Sequence, residues 1–348
     1  MKKIRVGING FGRIGRAIFR INQQKQFFEV VAINDINPEI KNMAYLLRYD
    51  TTYGRFDGHV DHTDTHLVIN DEKVRVYHQP KITDVPWDDL DIDIVIDSSG
   101  IKANLDLMLA DDSGVKNYIV TNAPQDYMDR IQTIIFGVND EECAPDKYKI
   151  FSSSICDTIS MSPILKLIQE THKIESGFLT TLHPWLAYQN LVDGPSKSWS
   201  QPGDIYSNYS LGRASTQVLI PKSTSAVIAA EAVYPGLCDR LQSFSYRVPT
   251  AIVSSAVLIL QLDKEIEKDE IMKRFEEYER TQEYNVIKNS MEPLTSIDYA
   301  GEEASVIIDQ RWTKVENKKH LKMVYWYDNE WGYSCRAVDL VRKIAESY

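Results

Sequence analysis

A chain of 348 residues exceeds the usual size of one small domain, so two domains are expected. Apolar residues make up 43% and charged residues 26%, the balance of a globular protein in water. A net charge of −11 excludes nucleic acid and anionic membrane as principal partners, because both require a basic surface.

The opening run MKKIRVGINGF is basic but lacks an apolar h-region, so it does not read as a signal peptide. Within it KIRVGING is a short apolar strand. RIGRAIFRINQQ has helical periodicity, and FEVVAIND is a second strand ending at Asp35. DGHVDHTDTHLVINDEKVRVYHQ reads as an inserted β-hairpin, and DIDIVIDSSG and NYIVTNAP as further strands. Strands alternating with helices imply a parallel, doubly wound sheet. From residue 156 the character changes. Helical SMSPILKLIQETHK is followed by strand-like ESGFLTTLH, SFSYRVPT and AIVSSAVLILQL, which indicates an α+β domain with a mainly antiparallel sheet. Val192 to Arg213, rich in Gly, Pro, Ser and aromatics, reads as a long functional or interfacial loop. QLDKEIEKDEIMKRFEEYER reads as a solvated amphipathic helix. The tail CRAVDLVRKIAESY places Ala337, Leu340, Val341, Ile344 and Ala345 on one helical stripe.

No apolar run approaches the roughly 18 residues that span a bilayer. Cys143, Cys156, Cys238 and Cys335 show no CxxC pairing and no metal-ligand spacing, which points to free thiols and a cytoplasmic location. His59, His62 and His66 fit neither one face of the hairpin nor a known ligand set, so no metal is expected.

Gly10-x-Gly12-x-x-Gly15 lies directly after a strand and at the start of a helix, the Rossmann dinucleotide fingerprint. The helix N-terminus supplies N–H groups and a positive dipole end for a pyrophosphate. Asp35, at the end of the second strand, can accept hydrogen bonds from both ribose hydroxyls of NAD and would repel the 2′-phosphate of NADP. NAD is the expected cofactor.

Cys156, in SSSICDT, lies at a strand-to-helix junction, where a helix N-terminus favours a thiolate. His183, at the end of the strand FLTTLH, is the candidate base; Cys plus His is an arrangement for covalent chemistry on a carbonyl. A buried structural Cys and a satisfied core His are the competing explanation.

INGFGRIGR, LLRYDTTYGRF, VDGPSK, RVPT and WYDNEWGYS, in this order, make the chain resemble the phosphorylating, NAD-dependent glyceraldehyde-3-phosphate dehydrogenase family over essentially its whole length. The resemblance implies a Rossmann-type NAD-binding domain at 1–155 completed by the C-terminal segment 328–348. It also implies a catalytic domain at 156–327, an S-shaped loop at about 185–213, and a homotetramer. It implies Cys156 as nucleophile and His183 as base. Cofactor contacts would come from Gly10, Phe11, Gly12, Arg13, Ile14, Gly15, Asp35, Ser99 and Asn122, with Asn329 and Tyr333 orienting the nicotinamide. The implied chemistry is attack of Cys156 on an aldehyde, transfer of the hydroxyl proton to His183, hydride transfer to NAD, and cleavage of a Cys156 thioester, in the family by inorganic phosphate.

The chain departs from the family around its phosphate sites. Where the family run is close to S-N-A-S-C-T-T-N, this chain has Ile155 before the cysteine and Asp157 after it. Leu186 and Tyr188 replace the Thr and Asp of the family run H-S-Y-T-x-D-Q, and the Thr-Gly pair reads Thr224-Ser225. Arg213, Thr224 and Arg247 remain at matching phosphate-site positions, joined by Asp157. If Asp157 faces the sulfur it raises the thiol pKa, opposed by the helix dipole and His183. Three readings stay open at this point. The chain is an aldehyde dehydrogenase with an altered substrate, a glyceraldehyde-3-phosphate dehydrogenase with an unusual phosphate site, or a weakly catalytic NAD-binding paralogue.

Overall fold

A computed structural model describes residues 3–348 and divides the chain into two compact units. Of the described residues, the first comprises 3–134, 141–154 and 334–348, and the second 135–140 and 155–333.

In the first unit the alternating segments form β1 (Arg5–Asn9), α1 (Arg13–Lys25), β2 (Glu29–Asn34) and α2 (Ile40–Arg48). A two-residue pair follows, β3 (Tyr49–Asp50) with β4 (Gly54–Arg55). Then come β5 (Val60–His62), β6 (His66–Ile69), β7 (Glu72–Tyr77), β8 (Ile94–Asp97), α3 (Asn104–Ala110), β9 (Asn117–Val120), β10 (Ile131–Thr133) and β11 (Ile150–Ser152). Nine of these strands make one sheet in the order β10-β11-β9-β8-β1-β2-β7-β6-β5. From β10 to β7 the pairings are parallel, and β7, β6 and β5 run antiparallel. The single hairpin expected after Asp57 is thus a three-stranded meander. Its second turn, Asn70-Asp71, sits at positive φ, as a tight hairpin turn requires. Val6, Ile8, Ile94, Ile96, Ile119 and Val120 are fully buried, as in a sheet covered on both faces.

The second unit begins with α4 (Cys156–Gln169). Its helix starts at the cysteine itself, four residues before the expected SMSPILKLIQETHK. Pro163 lies inside it rather than near its start; burial of Ile159, Ile164, Leu165 and Ile168 outweighs the lost N–H. The elements that follow are β12 (Ile174–Pro184), β13 (Ile220–Lys222), α5 (Ala226–Ala230), β14 (Leu241–Val248), β15 (Ser254–Leu262), α6 (Lys268–Thr281), β16 (Ile287–Ser290), β17 (Val306–Glu316) and β18 (His320–Tyr327). Their seven-stranded sheet has the order β13-β14-β12-β15-β18-β17-β16 and is mixed, with most pairs antiparallel. Residues 185–219 are irregular apart from one bridge, Lys197 to Ile205, and a short 3-10 turn at Tyr209–Gly212. The last helix, α7 (Trp331–Ala345), buries Ala337, Leu340, Val341 and Ile344.

Candidate active site

The first unit presents a dinucleotide cradle at the C-terminal ends of β1 and β8, the point where strand order reverses. Gly10 leaves β1 at φ +89°, and a Cβ there would lie 2.6 Å from the Ser99 nitrogen. A Cβ on Gly15 would lie 2.1 Å from the Gly10 carbonyl oxygen. A Cβ on Gly12 would meet nothing within 4 Å. Gly12 is therefore small for the sake of something outside the fold, which is the part a pyrophosphate plays. The Phe11 N–H donates to Asp35 Oδ2 at 2.6 Å and the Asn37 N–H to Oδ1 at 2.8 Å, so the Asp35 carboxylate is held beside the glycine turn. Asn34, Asn9, Asp97 and Asn104 chain their side chains across the strand ends at 2.7, 2.9 and 3.1 Å. Ser99 Oγ accepts from Asn104, and Asn122 Oδ1 is buried without a partner, a ready acceptor for a cofactor amide or hydroxyl. Arg13 pairs with Asp50 and lies over the Tyr53 ring; Ile14 is half-buried. These residues fit NAD.

In the second unit, strand register assembles one polar face. Tyr325, Ala256, Thr181, Ser245 and Lys222 stand in a continuous row across β18, β15, β12, β14 and β13. One step along, His183 pairs with Arg247, Arg247 with Ile220, and Ser254 with Tyr327. Because strand side chains alternate with period two, both rows project from the same face.

Onto that face α4 delivers Cys156 and Asp157. Ile155 is extended and caps the helix without a side-chain bond, so Cys156 is its first residue and keeps an N–H with no intrahelical partner. Cys156 Sγ lies 3.6 Å from His183 Nε2 and 3.5 Å from Asp157 Oδ1. The His183 Nδ1–H donates to the Pro184 carbonyl at 2.8 Å, which leaves the Nε2 lone pair facing the sulfur. Asp157 is fully engaged: Oδ1 accepts from the Tyr327 hydroxyl at 2.7 Å and Oδ2 from the Thr224 hydroxyl at 2.9 Å. Thr181 stands 3.5 Å from Oδ2 and bonds Ser245 at 2.8 Å.

The electrostatics follow from this packing. Burial pushes the Cys156 thiol well above its ordinary pKa, and the Asp157 charge adds to the effect. Burial and the neighbouring Arg247 push His183 down to about 3, so the imidazole is neutral. Burial alone would raise the Asp157 carboxyl, but coupling to His183, the Tyr327 and Thr224 hydrogen bonds and the Arg247 charge hold it below the ordinary range. With the imidazole neutral, the two hydroxyl donors and Arg247 keep Asp157 ionised. The resting site is thus a neutral thiol between two proton acceptors, not the thiolate that a helix N-terminus alone would favour.

Thr224 and Arg247 join the cluster, Thr224 through Asp157 and Arg247 beside His183; the buried Arg247 Nε has no partner. Arg213 is exposed and paired with Asp193 at 2.8 Å. Asn329 is buried with its Oδ1 unpartnered, and Tyr333 is buried in α7. Trp185, Leu186 and Tyr188 are half-buried, and the Tyr188 ring packs on Tyr206 at 5.7 Å. Sequence reasoning missed Tyr327, Thr181 and Lys222. Burial and Arg247 push Lys222 down to about 8, against the attraction of Asp157 and Cys156. Their alternation within IPK, FLTTLH and MVYWY was the available signal.

Residues 4–105 match the family description "Glyceraldehyde 3-phosphate dehydrogenase, NAD binding domain", and residues 155–329 match "Glyceraldehyde 3-phosphate dehydrogenase, C-terminal domain". The chain is 38% identical to glyceraldehyde-3-phosphate dehydrogenase 2 of Saccharomyces cerevisiae, over 99% of this chain and 100% of the relative. It is 36% identical to glyceraldehyde-3-phosphate dehydrogenase 2 of Bacillus subtilis, over 99% and 97%. Against the cytosolic enzyme of Gracilaria gracilis the identity is 34%, over 98% of each chain. Sequence motifs, cofactor cradle and these matches agree: the chain belongs to the glyceraldehyde-3-phosphate dehydrogenase family of NAD-dependent oxidoreductases.

Proposed function

We propose that this chain oxidises an aldehyde at Cys156 and that its substrate differs from glyceraldehyde 3-phosphate. The observation that supports the difference is the Asp157 carboxylate, 3.5 Å from the sulfur and accepting the Thr224 hydroxyl. It uses up a hydroxyl that would otherwise donate to a phosphate, and it sets a negative charge where a dianion would have to come. Each lost hydrogen bond to a charged group is worth roughly 1.5–3 kcal/mol, so several losses remove useful affinity.

In this reading Cys156 Sγ adds to the carbonyl carbon, the Cys156 N–H meets the oxyanion, and the thiol proton ends on that oxygen as a thiohemiacetal. His183 Nε2 accepts the hydroxyl proton as the carbonyl re-forms. NAD, when bound, would supply the hydride acceptor; Gly10, Phe11, Gly12, Arg13, Ile14, Gly15, Asp35, Ser99 and Asn122 would hold it, with Asn329 and Tyr333 as the residues that would orient its ring. Water cleaves the resulting thioester, since Asp157 opposes an attacking phosphate. Residues 1–155 with 328–348 serve the cofactor, and 156–327 the chemistry.

The second reading, a glyceraldehyde-3-phosphate dehydrogenase with an unusual phosphate site, is favoured by Arg247 and Lys222, two cations on the same sheet face as His183. NADH formation from a panel of aldehydes, with and without phosphate or arsenate, separates the two. Strong phosphate-stimulated turnover of glyceraldehyde 3-phosphate would overturn the altered substrate.

We further propose a homotetramer. The outer face of the seven-stranded sheet exposes Phe178, Leu182, Phe244 and Ile259, apolar surface that a second copy would cover. A cytosolic setting suits four free cysteines, and among the described residues no helix is long and apolar enough to cross a membrane.

A further inference from the structure

The sequence shows no metal-ligand spacing, but folding brings three different ligand types together. Cys156 Sγ, His183 Nε2 and an Asp157 carboxylate oxygen all lie within 4.8 Å of one another. Zinc binds Cys sulfur at about 2.3 Å, His nitrogen at about 2.0–2.1 Å and carboxylate oxygen at about 2.0–2.2 Å, tetrahedrally. Those bond lengths put the S–N and S–O edges of the tetrahedron both at about 3.5–3.7 Å, and the N–O edge at about 3.4 Å. The observed S–N and S–O separations are 3.6 and 3.5 Å, and the N–O pair lies within 4.8 Å.

The atoms behind the ligands are arranged to suit. A metal-bound imidazole ordinarily donates its other N–H to a carbonyl or carboxylate, which fixes tautomer and ring orientation; His183 Nδ1 already does so to Pro184. The Asp157 oxygens are steadied by Tyr327 and Thr224, which leaves Oδ1 a second lone pair toward the sulfur. Arg247 and Lys222 lie on the same face and oppose an incoming dication. Asp157 therefore decides the matter: with it a thiolate site carries two negative charges, and without it only one.

We propose that Cys156, Asp157 and His183 form a three-ligand tetrahedral site for a zinc-type divalent cation, with the fourth position open to solvent, and that occupancy switches the nucleophile off. Binding stands on geometry alone; the switching-off rests on Cys156 being the nucleophile.

Titration of the full-length protein with cobalt(II) chloride tests the site, since tetrahedral cobalt bound to a thiolate gives intense visible bands and a charge-transfer band in the near ultraviolet. We expect one equivalent to bind with both features, zinc chloride to displace it, and a chelator to remove it. Asp157→Asn should weaken binding at least about ten-fold, the scale seen even for loss of an outer partner, and Cys156→Ser should abolish the charge-transfer band. Cys156→Ser replaces a half-buried sulfur by oxygen and guards against misfolding of the Asp157 variant. Cys238→Ser, at the exposed thiol, should bind as the parent does. One equivalent of zinc should stop NADH formation, and chelator restore it. Absence of binding, binding unchanged in Asp157→Asn, or a cobalt spectrum without thiolate character would each overturn the site. Stoichiometric cobalt binding with undiminished turnover would overturn the switch and, with it, the role of Cys156, while leaving the site in place.

Discussion

Replacing Asp157 by Asn tests the electrostatic account of the Cys156 thiol most directly. A thiolate at Cys156 and the Asp157 carboxylate would stand 3.5 Å apart. At an effective dielectric of about 20, two like charges at that distance repel by about 5 kcal/mol. The Arg247 charge offsets part of this, because it acts on both groups. Thiol nucleophilicity falls with basicity at a slope of about 0.4–0.5, so about half of the recovered energy reaches the rate. At 1.36 kcal/mol per factor of ten, alkylation of Cys156 at neutral pH should accelerate about 10- to 100-fold. The amide keeps an oxygen for Tyr327 but turns donors toward Thr224, which should cost about 1–3 kcal/mol of stability. The assay is the second-order rate of iodoacetamide labelling across pH, in a background lacking the exposed Cys238, with thermal unfolding as the check on folding. A folded Asp157→Asn protein that labels no faster than the parent would refute the reasoning, and one that labels more slowly would make Asp157 the proton acceptor instead.

Other consequences follow from the same geometry. Gly12→Ala should leave thermal stability nearly unchanged while weakening NAD binding at least about ten-fold, because its methyl meets no protein atom; Gly15→Ala, aimed at the Gly10 carbonyl, should instead lower stability. His183 is held down to about 3 against an ordinary 6.5, so between those pH values the unfolded chain binds a proton that the folded chain does not. Stability should therefore fall as pH drops through that window, by up to about 1.4 kcal/mol per pH unit. Asp157, also depressed, contributes in the same direction at the acid end, and His183→Asn should flatten the slope in urea titrations. Lys222 loses its charge near pH 8, so KM for an anionic aldehyde should climb above that pH, and Lys222→Met should raise KM at neutral pH and erase the climb.

Much of the first unit was legible because its signals are local. A strand, a glycine turn, a helix and a second strand ending in Asp35 need only hydrophobic period and turn chemistry, and the structure repeats them as β1, Gly10 to Gly15, α1 and β2. The meander β5 to β7 was read as one hairpin because its short β5 carries little period of its own. The start of α4 was misplaced because Pro163 resembles a first-turn residue. Four residues of error there matter, since a helix beginning at Cys156 is what aims Asp157 inward.

Cys156 and His183 could be paired from the sequence only through family resemblance, and Tyr327, Thr181 and Lys222 could not be named at all. Tyr327 and Asp157 are separated by 170 positions, and Thr224 and Asp157 by 67. They meet because five strands share a register in which every second residue faces α4, and a one-residue slip in β18 would replace Tyr327 by Trp326 or Asp328. Asp157 is the residue on which this register converges. An acid next to a nucleophilic cysteine reads in sequence as a lost phosphate ligand. In the fold it is a buried, doubly hydrogen-bonded carboxylate that adds to the rise burial imposes on the thiol pKa, takes up the Thr224 hydroxyl and lies within 4.8 Å of the two other proposed metal ligands. The Asp157 charge contributes to all three, so Asp157→Asn should move all three together: faster alkylation, a freed Thr224 hydroxyl with stronger phosphate response, and weaker cobalt binding. A variant that changed one of them and left the other two untouched would show that the effects are separate, and that the carboxylate is not their common cause.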